Sequence, residues 1–178
     1  MRIALLTGMR SGEILGLCWG QVNFRERVIS VGRAKTSSGT GRQIPMSLEV
    51  QELLLQHARW FTENFGETQD TFYLFPWGAP APSDPTRPAT SMKKAWNALR
   101  RKAKVSCRTH DLRHTVATKL AEAGTPESTM LALLGHMSRA MLEHYSHVRM
   151  AAKRVAVEVL STQNAKAISP SVLQIPLQ

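Results

Sequence analysis

The stretch THDLRHTVAT, residues 109–118, holds two histidines four positions apart, His110 and His114, with Arg113 between them. Two histidines at this spacing on one helix can bind zinc, but such sites need a glutamate base and a further ligand. Here the base position holds Asp111, and a guanidinium between the imidazoles repels a divalent cation. Arginine beside histidine suits an anion better, because arginine forms bidentate hydrogen bonds to phosphate and keeps its charge. We therefore expect no metal and no cofactor here, although on its own the stretch is equally compatible with an ordinary helix start.

Residues 110–123 are predicted to form one helix, because their apolar residues recur at helical spacing. At about 100° per residue, His110, Arg113 and Ala117 share one face, about a third of a turn away from the apolar residues. We therefore expect the polar face to lie off the core. The apolar stripe consists of Leu112, Val116, Leu120 and Ala123.

Two elements are predicted near the start of the chain, the first being a short helix over residues 11–19. Ser11 can cap this helix, and Glu13 in its first turn suits the positive end of the helix dipole. Residues 27–46 combine β-rich segments with the turn sequence TSSGTG, so they predict a hairpin. Lys35 lies near the tip of this hairpin, a position suited to reaching a ligand.

The middle of the chain predicts two helices separated by a loop. The first helix covers residues 47–65 and begins after Ser47, and the second covers residues 91–104. Between them, residues 76–91 hold five of the nine prolines. We interpret this segment as a loop rather than a domain linker, because each flank alone is too small for an independent core. The apolar positions of the first helix are Leu48, Leu53, Leu54 and Leu55.

Helices are also predicted for the last third of the chain. Thr125 caps one of them, with Pro126 at its first position, and Gly135 ends it. Ser138 caps a second, and residues 149–160 continue helical. The whole pattern predicts a mainly helical α+β domain with a small antiparallel hairpin sheet.

The 178 residues fit a single domain and carry 23 Lys and Arg against 13 Asp and Glu, a net charge of +10. Such an excess favours a polyanionic partner, most often DNA or RNA. It is concentrated in KKAWNALRRKAK, residues 93–104, where Trp96 stands among six cations and no anion. We expect this helix to lie along a DNA backbone and to contribute affinity rather than sequence choice. The expected contacts are Lys93, Lys94, Arg100, Arg101, Lys102 and Lys104.

The remaining compositional features exclude several classes. The sequence has no apolar run long enough to span a membrane, and its first residues lack a signal-peptide core. Cys18 and Cys107 are the two cysteines, and we expect them to be reduced thiols in a cytoplasmic protein. No P-loop pattern indicates a nucleotide.

Four further residues can carry chemistry, although each has an ordinary explanation. Arg10 precedes a helix N-terminus, where backbone N–H groups favour an anion, but it can equally be a surface residue. Lys35 can equally be a solvated turn lysine. His136 directly follows Gly135 and can equally cap a helix. Tyr145, nine residues further on, can equally be a half-buried aromatic.

Taken together, these residues resemble the catalytic domain of the tyrosine recombinases, the phage-integrase family. The matching stretches keep the family's order over residues 7–148: TGMRSGEILGLCW, AKT…GRQIPMS, HDLRHTVAT, LLGH and MLEHYSHV. The resemblance implies an integrase-type catalytic domain over residues 1–163, with a C-terminal tail over residues 164–178. It also implies a fragment, because the family's helix before the first arginine and its core-binding domain are not in the sequence. The implied active-site residues are Arg10, Lys35, His110, Arg113, His136 and Tyr145.

The resemblance implies metal-independent, site-specific DNA recombination, as in the integration of mobile elements. Tyr145 would attack a phosphodiester, displace the 5′-oxygen and become linked to the 3′-phosphate. Free tyrosine has a pKa of about 10, so only ~0.1% is phenolate at pH 7, and we expect Arg10 and Arg113 to stabilise the added charge. Lys35 is the expected acid for the leaving oxygen. The sequence does not assign the base between the two implicated histidines.

The resemblance also implies double-stranded DNA as the partner of a bacterial or phage-encoded protein in the cytoplasm. It implies a homotetramer on paired DNA sites, and a monomer is compatible with the sequence when DNA is absent. Three alternatives stay open at this point. Residues 110–136 can form a helix-turn-helix in a non-catalytic DNA-binding module. A type IB topoisomerase shares the same chemistry, and an inactive recombinase remnant would keep the residues without turnover.

Overall fold

The computed structural model describes residues 1–32, 40–78 and 81–135, together with Met150 and residues 153–155 and 157–160. Eleven helices and strands lie in the described ranges up to residue 135, with one 3₁₀ turn at Trp19–Gln21. In chain order they are α1 (Arg2–Thr7), α2 (Ser11–Leu15), β1 (Val22–Asn23), β2 (Val28–Ser30), β3 (Gln43–Pro45), α3 (Leu48–Phe65), β4 (Pro76–Trp77), β5 (Asp84–Pro88), α4 (Lys93–Ala103), α5 (Thr109–Glu122) and α6 (Glu127–Leu134). This is the predicted mainly helical α+β class with small antiparallel sheets, and none of the described helices is long and apolar enough to cross a membrane.

The predicted hairpin is confirmed as the antiparallel pair β2–β3, and β1 extends it to three strands in the order β1-β2-β3. Ile29 of β2 faces Ile44 of β3 in this ladder, and both are buried. Residues 33–39, which include the predicted hairpin tip with Lys35, lie outside the described residues.

Helix α3 begins where the sequence predicts it, because the Ser47 hydroxyl accepts a hydrogen bond of 3.3 Å from the Val50 backbone N–H. Its buried face is formed by Val50, Leu54 and Phe61, which recur at helical spacing. Leu54 is the one member of the predicted leucine set that is fully buried. Leu48 is 66% exposed, because it lies on the opposite side of the helix.

Two predictions about local structure are wrong. The first helix ends at Leu15 rather than at residue 19, because Gly16 terminates it, and its N-cap is Arg10 rather than Ser11. The proline-rich segment 76–91 is not only a loop, since β4 and β5 pair within it. Prolines are tolerated there because a two-stranded ladder leaves one side of each strand without a hydrogen-bonded neighbour.

A second apolar cluster joins α5 to α6 and consists of Ala117, Ala121, Met130 and Leu134. Helix α5 also packs on α1, and Gly8 at the end of α1 has a φ of +67°. A side chain at this glycine would meet the Leu134 side chain at 2.3 Å, so the close approach requires glycine.

Helix α6 starts one residue later than predicted, because Pro126 is its N-cap, and it ends before Gly135 as predicted. The helix predicted after Ser138 and the tail 164–178 lie outside the described residues, as do residues 136–149 as a whole. The described residues between 150 and 160 are helical.

Candidate active site

Arg113 lies inside the molecule, which corrects the prediction that its helical face points away from the core. The residue is 3% exposed, and it shares the buried face of α5 with Ala117 and Ala121. The predicted apolar stripe is only partly buried. The physical reason is size: the two alanines allow neighbouring helices to approach α5 most closely along the face that the large residues do not occupy.

The Arg113 guanidinium connects three helices. One terminal nitrogen, Nη1, donates a hydrogen bond of 2.7 Å to the Gly8 carbonyl, and Nη2 donates to the Leu134 carbonyl. These two oxygens lie at the C-terminal ends of α1 and α6, where helix carbonyls have no partner within their own helix. Arg113 is therefore held in a fixed orientation by two separate parts of the chain.

Arg10 is the N-cap of α2 and forms a reciprocal arrangement with Glu13. One Glu13 oxygen, Oε2, accepts the Arg10 backbone N–H at 2.8 Å, and the other, Oε1, accepts Arg10 Nη1 at 3.1 Å. The Arg10 side chain is 19% exposed, whereas the Glu13 side chain is 3% exposed. The carboxylate therefore fixes both the start of α2 and the arginine that precedes it.

Arg42 belongs to the same cluster, and the sequence interpretation missed it. Its Nη1 and Nη2 donate to Glu13 Oε1 at 3.0 Å and Oε2 at 2.7 Å, and its Nε donates to the Leu133 carbonyl at 3.1 Å. The alternation of residues in and beside β3 is a signal that could have identified Arg42 as buried. Arg42, Ile44 and Met46 alternate with exposed residues and all three are buried, so a cation in this series requires a buried acid.

The close packing of these charges changes their protonation. Burial, together with the positive charge of Arg10, lowers the pKa of Arg113 to about 10, while the Glu13 carboxylate opposes this change. Burial acts to raise the pKa of Glu13, but the hydrogen bonds from Arg42 and Arg10 outweigh it and hold that pKa below its usual value. Arg113 and Glu13 are thus both charged at neutral pH.

His110 stands at the exposed edge of this cluster, in the first turn of α5. Its ring lies 5.0 Å from the His114 ring, centroid to centroid, in an edge-on arrangement. Partial burial lowers the pKa of His110, and the positive charges of His114, Arg113 and Arg10 lower it further. The imidazole is therefore neutral at neutral pH and can accept a proton. Across the described ranges, no three His, Cys, Asp or Glu side chains are grouped so that they could hold a metal ion.

The described structure brings three of the six predicted site residues together, namely Arg10, His110 and Arg113, from α2 and α5. The other three, Lys35, His136 and Tyr145, lie outside the described residues. His136 lies two positions after Leu134 in the sequence. The Leu134 carbonyl accepts a hydrogen bond from Arg113.

The basic helix α4 is confirmed, but its cations are not equivalent. Trp96 is buried, and its Nε1 donates to the Cys107 carbonyl at 3.3 Å. Arg100 Nη1 donates to the same carbonyl at 3.0 Å, so Arg100 is turned towards the protein. A shallow cavity of about 310 Å³ opens beside it, lined by Arg100, Arg101, Lys104, Val105 and Ser106. The five exposed cations among the predicted DNA contacts are Lys93, Lys94, Arg101, Lys102 and Lys104.

Comparison with known sequences identifies the family of this chain. The sequence profile described as the phage integrase family matches residues 1–152. The chain belongs to the phage integrase family. It is 27% identical over 190 residues to the XerC-like tyrosine recombinase of Caldanaerobacter subterraneus subsp. tengcongensis, a match that covers 89% of the chain. The chain spans about half the length of that relative, 47%.

Solved structures show the same fold. The catalytic domain of bacteriophage HP1 integrase matches with a TM-score of 0.56 and 21% identity, over 99% of this chain and 83% of that one. The Tn1549 transposon integrase, solved in complex with circular intermediate DNA, matches with a TM-score of 0.57 and 24% identity, over 80% of this chain and 50% of that one. The predicted integrase-type catalytic fold is therefore confirmed.

Proposed function

We propose that this chain is the catalytic domain of a site-specific DNA recombinase that cleaves and rejoins DNA through a 3′-phosphotyrosine intermediate, with residues 1–163 as the domain and residues 164–178 as its tail. The relatives that the chain matches include DNA recombinases and an integrase. The observation that carries the proposal is the buried cluster in which Arg10 and Arg113 meet beside His110. Three different segments of the chain hold these groups in place, so they are oriented before any substrate arrives.

The charge of the cluster suits a phosphodiester. Arg10, Arg42 and Arg113 bring three guanidinium groups around the Glu13 carboxylate, so this part of the described structure is rich in positive charge. A phosphodiester carries one negative charge, and its non-bridging oxygens gain more in the transition state. Fixed guanidinium groups in a site that excludes water stabilise such charge strongly. The helix-turn-helix alternative gives no reason for burying this cluster.

The proposed reaction assigns the remaining roles by family resemblance. The Tyr145 oxygen attacks phosphorus, its proton passes to the neutral His110, and the bond between phosphorus and the 5′-oxygen breaks. Lys35 protonates that oxygen as it leaves, and His136 donates a hydrogen bond to a phosphate oxygen. Because the covalent link conserves the phosphodiester energy, attack by a 5′-hydroxyl on the phosphotyrosine rejoins the strand without ATP.

The proposed partner is double-stranded DNA, bound by a homotetramer on paired sites. The DNA in the Tn1549 integrase complex and the net charge of +10 support DNA as the partner. The homotetramer is proposed from the family resemblance alone. The exposed cations of α4 supply phosphate contacts along the backbone of the duplex.

Trapping of the covalent adduct tests the proposal. The protein is incubated in EDTA with a pool of nicked duplexes of random sequence and examined on a denaturing gel. We expect a protein–DNA adduct that Tyr145→Phe abolishes. The matched control is Tyr73→Phe, which alters the other tyrosine of the chain and should leave the adduct in place.

The other outcomes decide between the alternatives. An adduct that survives Tyr145→Phe, or one that needs a divalent metal, contradicts the proposed chemistry. DNA binding without any adduct supports the non-catalytic module or the inactive remnant.

A further inference from the structure

We propose that Arg42 is a positioning residue, which holds the arginines of the site and the end of α6 in the arrangement that binds phosphate. This inference rests on the proposed function. Arg42 directly precedes β3, and it reaches α2 through Glu13 and α6 through the Leu133 carbonyl. It therefore connects the hairpin sheet to both sides of the candidate site.

Glu13 divides its side-chain hydrogen bonds unequally between Arg42 and Arg10. Arg42 engages both carboxylate oxygens, at 2.7 and 3.0 Å, whereas the Arg10 side chain engages Oε1 at 3.1 Å. The shorter, bidentate pair places the charge of Glu13 mainly against Arg42. Without Arg42, the buried carboxylate would recruit Arg10 as its bidentate partner, and the Arg10 guanidinium would turn away from a bound anion.

Arg42 also acts at the C-terminal end of α6. The last carbonyls of a helix have no partner within the helix and carry partial negative charge. Arg42 Nε donates to the Leu133 carbonyl at 3.1 Å, and Arg113 donates to the adjacent Leu134 carbonyl. Two guanidiniums from different elements therefore fix the last turn of α6, directly before the chain continues through Gly135.

No other side chain can satisfy this geometry. The planar fork of arginine offers five N–H donors. Among the described residues, Arg42 uses three different nitrogens for three acceptors on two segments. A lysine keeps the charge but presents a single nitrogen. The substitution Arg42→Lys therefore separates the charge of Arg42 from its geometry.

A titration with inorganic sulfate tests the inference without DNA cleavage and without knowledge of the target sequence. The binding constant at low ionic strength is measured by NMR from the Nε–H signals of Arg10 and Arg113. We expect Arg42→Met to weaken sulfate binding roughly tenfold to a hundredfold, which is the range for loss of one hydrogen bond from a charged group. Arg42→Lys should recover only a small part of that loss.

A double-variant cycle tests whether Arg42 affects sulfate binding through Arg10. If Arg42 acts through Arg10, the pair Arg10→Ala and Arg42→Met together should weaken sulfate binding little more than Arg10→Ala alone. The matched control is Arg59→Met, which removes an exposed arginine of α3 and should leave the binding constant nearly unchanged. The Arg59 control corrects for the lower net charge of the protein.

The outcomes are distinguishable. Sulfate binding at full strength in folded Arg42→Met or Arg42→Lys overturns the inference, and fully additive losses in the cycle overturn the route through Arg10. If Arg42→Met does not fold, Arg42→Lys carries the same comparison. A parent protein whose Arg10 and Arg113 signals do not respond to sulfate contradicts the proposed phosphate site itself.

Discussion

The buried arginine cluster and the basic helix α4 use the same kind of side chain in opposite ways. Arg42 and Arg113 are almost fully buried, and every hydrogen bond described for them joins different segments of the chain. Arg101 and Lys104 on α4 are exposed. Burial of a guanidinium is costly unless it is paired, so the buried pair must be matched by Glu13 and by helix-end carbonyls.

This difference separates orientation from affinity. A buried, fully hydrogen-bonded arginine has one conformation and can present its charge in a fixed direction. An exposed cation keeps its side-chain freedom and contributes mainly a screened, long-range attraction. We therefore expect substitutions in the cluster to change stability and the chemical step, and substitutions on α4 to change the salt dependence of DNA binding.

The first prediction concerns the ion pair between Glu13 and Arg42, whose side chains are 3% and 5% exposed. We expect Glu13→Gln to lower the free energy of unfolding by about 3–5 kcal/mol, because it leaves a buried guanidinium without its anion. Urea denaturation measures this loss. The double variant Glu13→Gln with Arg42→Met should lose less free energy of unfolding than the sum of the two single variants. A loss below about 1 kcal/mol in Glu13→Gln would show that the pair is not buried in solution.

The second prediction concerns the geometry of Arg113. The substitution Arg113→Lys keeps a positive charge but cannot hold the Gly8 and Leu134 carbonyls together. We expect the rate of adduct formation in a single turnover to fall by ~10²–10³, the usual cost of losing one donor to a developing negative charge. Arg101→Lys is the matched control and should retain the parent rate. Equal rates in both variants would mean that charge alone, without orientation, is sufficient.

The third prediction extends the comparison of buried and exposed groups to the histidines. His57 is stacked between Trp60 and Phe75, and its Nε2 lies 2.5 Å from the Leu74 carbonyl oxygen. Burial lowers the pKa of His57, and the bond to Leu74 only partly opposes this. The folded state therefore prefers the neutral ring, whereas the unfolded chain binds a proton near pH 6.5.

The contribution of neutral His57 to the free energy of unfolding is accordingly complete above about pH 6.5. It is lost as the pH falls from there through the lowered pKa of His57 in the folded state. The slope cannot exceed about 1.4 kcal/mol per pH unit for one group. Urea denaturation between pH 7.5 and 5, in steps of about half a unit, measures it. We expect His57→Phe to remove most of the slope. His110, whose pKa is also lowered, is more exposed, so His110→Gln should remove a smaller share. The reverse order would contradict the role of burial.

Local sequence signals predicted several features of local structure correctly, although the caps predicted at Ser11 and Thr125 are wrong. The Ser47 cap, the end of α6 before Gly135 and the hairpin within residues 27–46 all depend on neighbouring residues, and the structure confirms them. The β4–β5 pair was missed because prolines argue against strands in general, and only the tertiary arrangement shows that this ladder has two strands.

The site shows where prediction from sequence stops. Periodicity placed Arg113 on an exposed face, since the large residues of α5 were assigned to the core, although the two small alanines determine the closest packing. The pairing of Arg42 with Glu13 spans 29 positions, and no local pattern specifies such a partner. The family resemblance, not the periodicity, pointed to Arg10, His110 and Arg113 as one group. The catalytic roles of all six residues, including Lys35, His136 and Tyr145, stay predictions.

The last prediction compares two adjacent residues of α4. Arg101 is exposed, whereas Arg100 donates to the Cys107 carbonyl and so braces the turn between α4 and α5. We expect Arg101→Ala to weaken binding to random duplex DNA a few-fold and to reduce the slope of log affinity against log salt by about one. Arg100→Ala should leave that slope closer to the parent value but lower the free energy of unfolding by about 1 kcal/mol. Titrations at several salt concentrations, with urea denaturation of the same samples, separate the two effects. Equal slopes for Arg100→Ala and Arg101→Ala would mean that Arg100 turns outward when DNA binds, because an arginine held against the Cys107 carbonyl releases no counterion from the duplex.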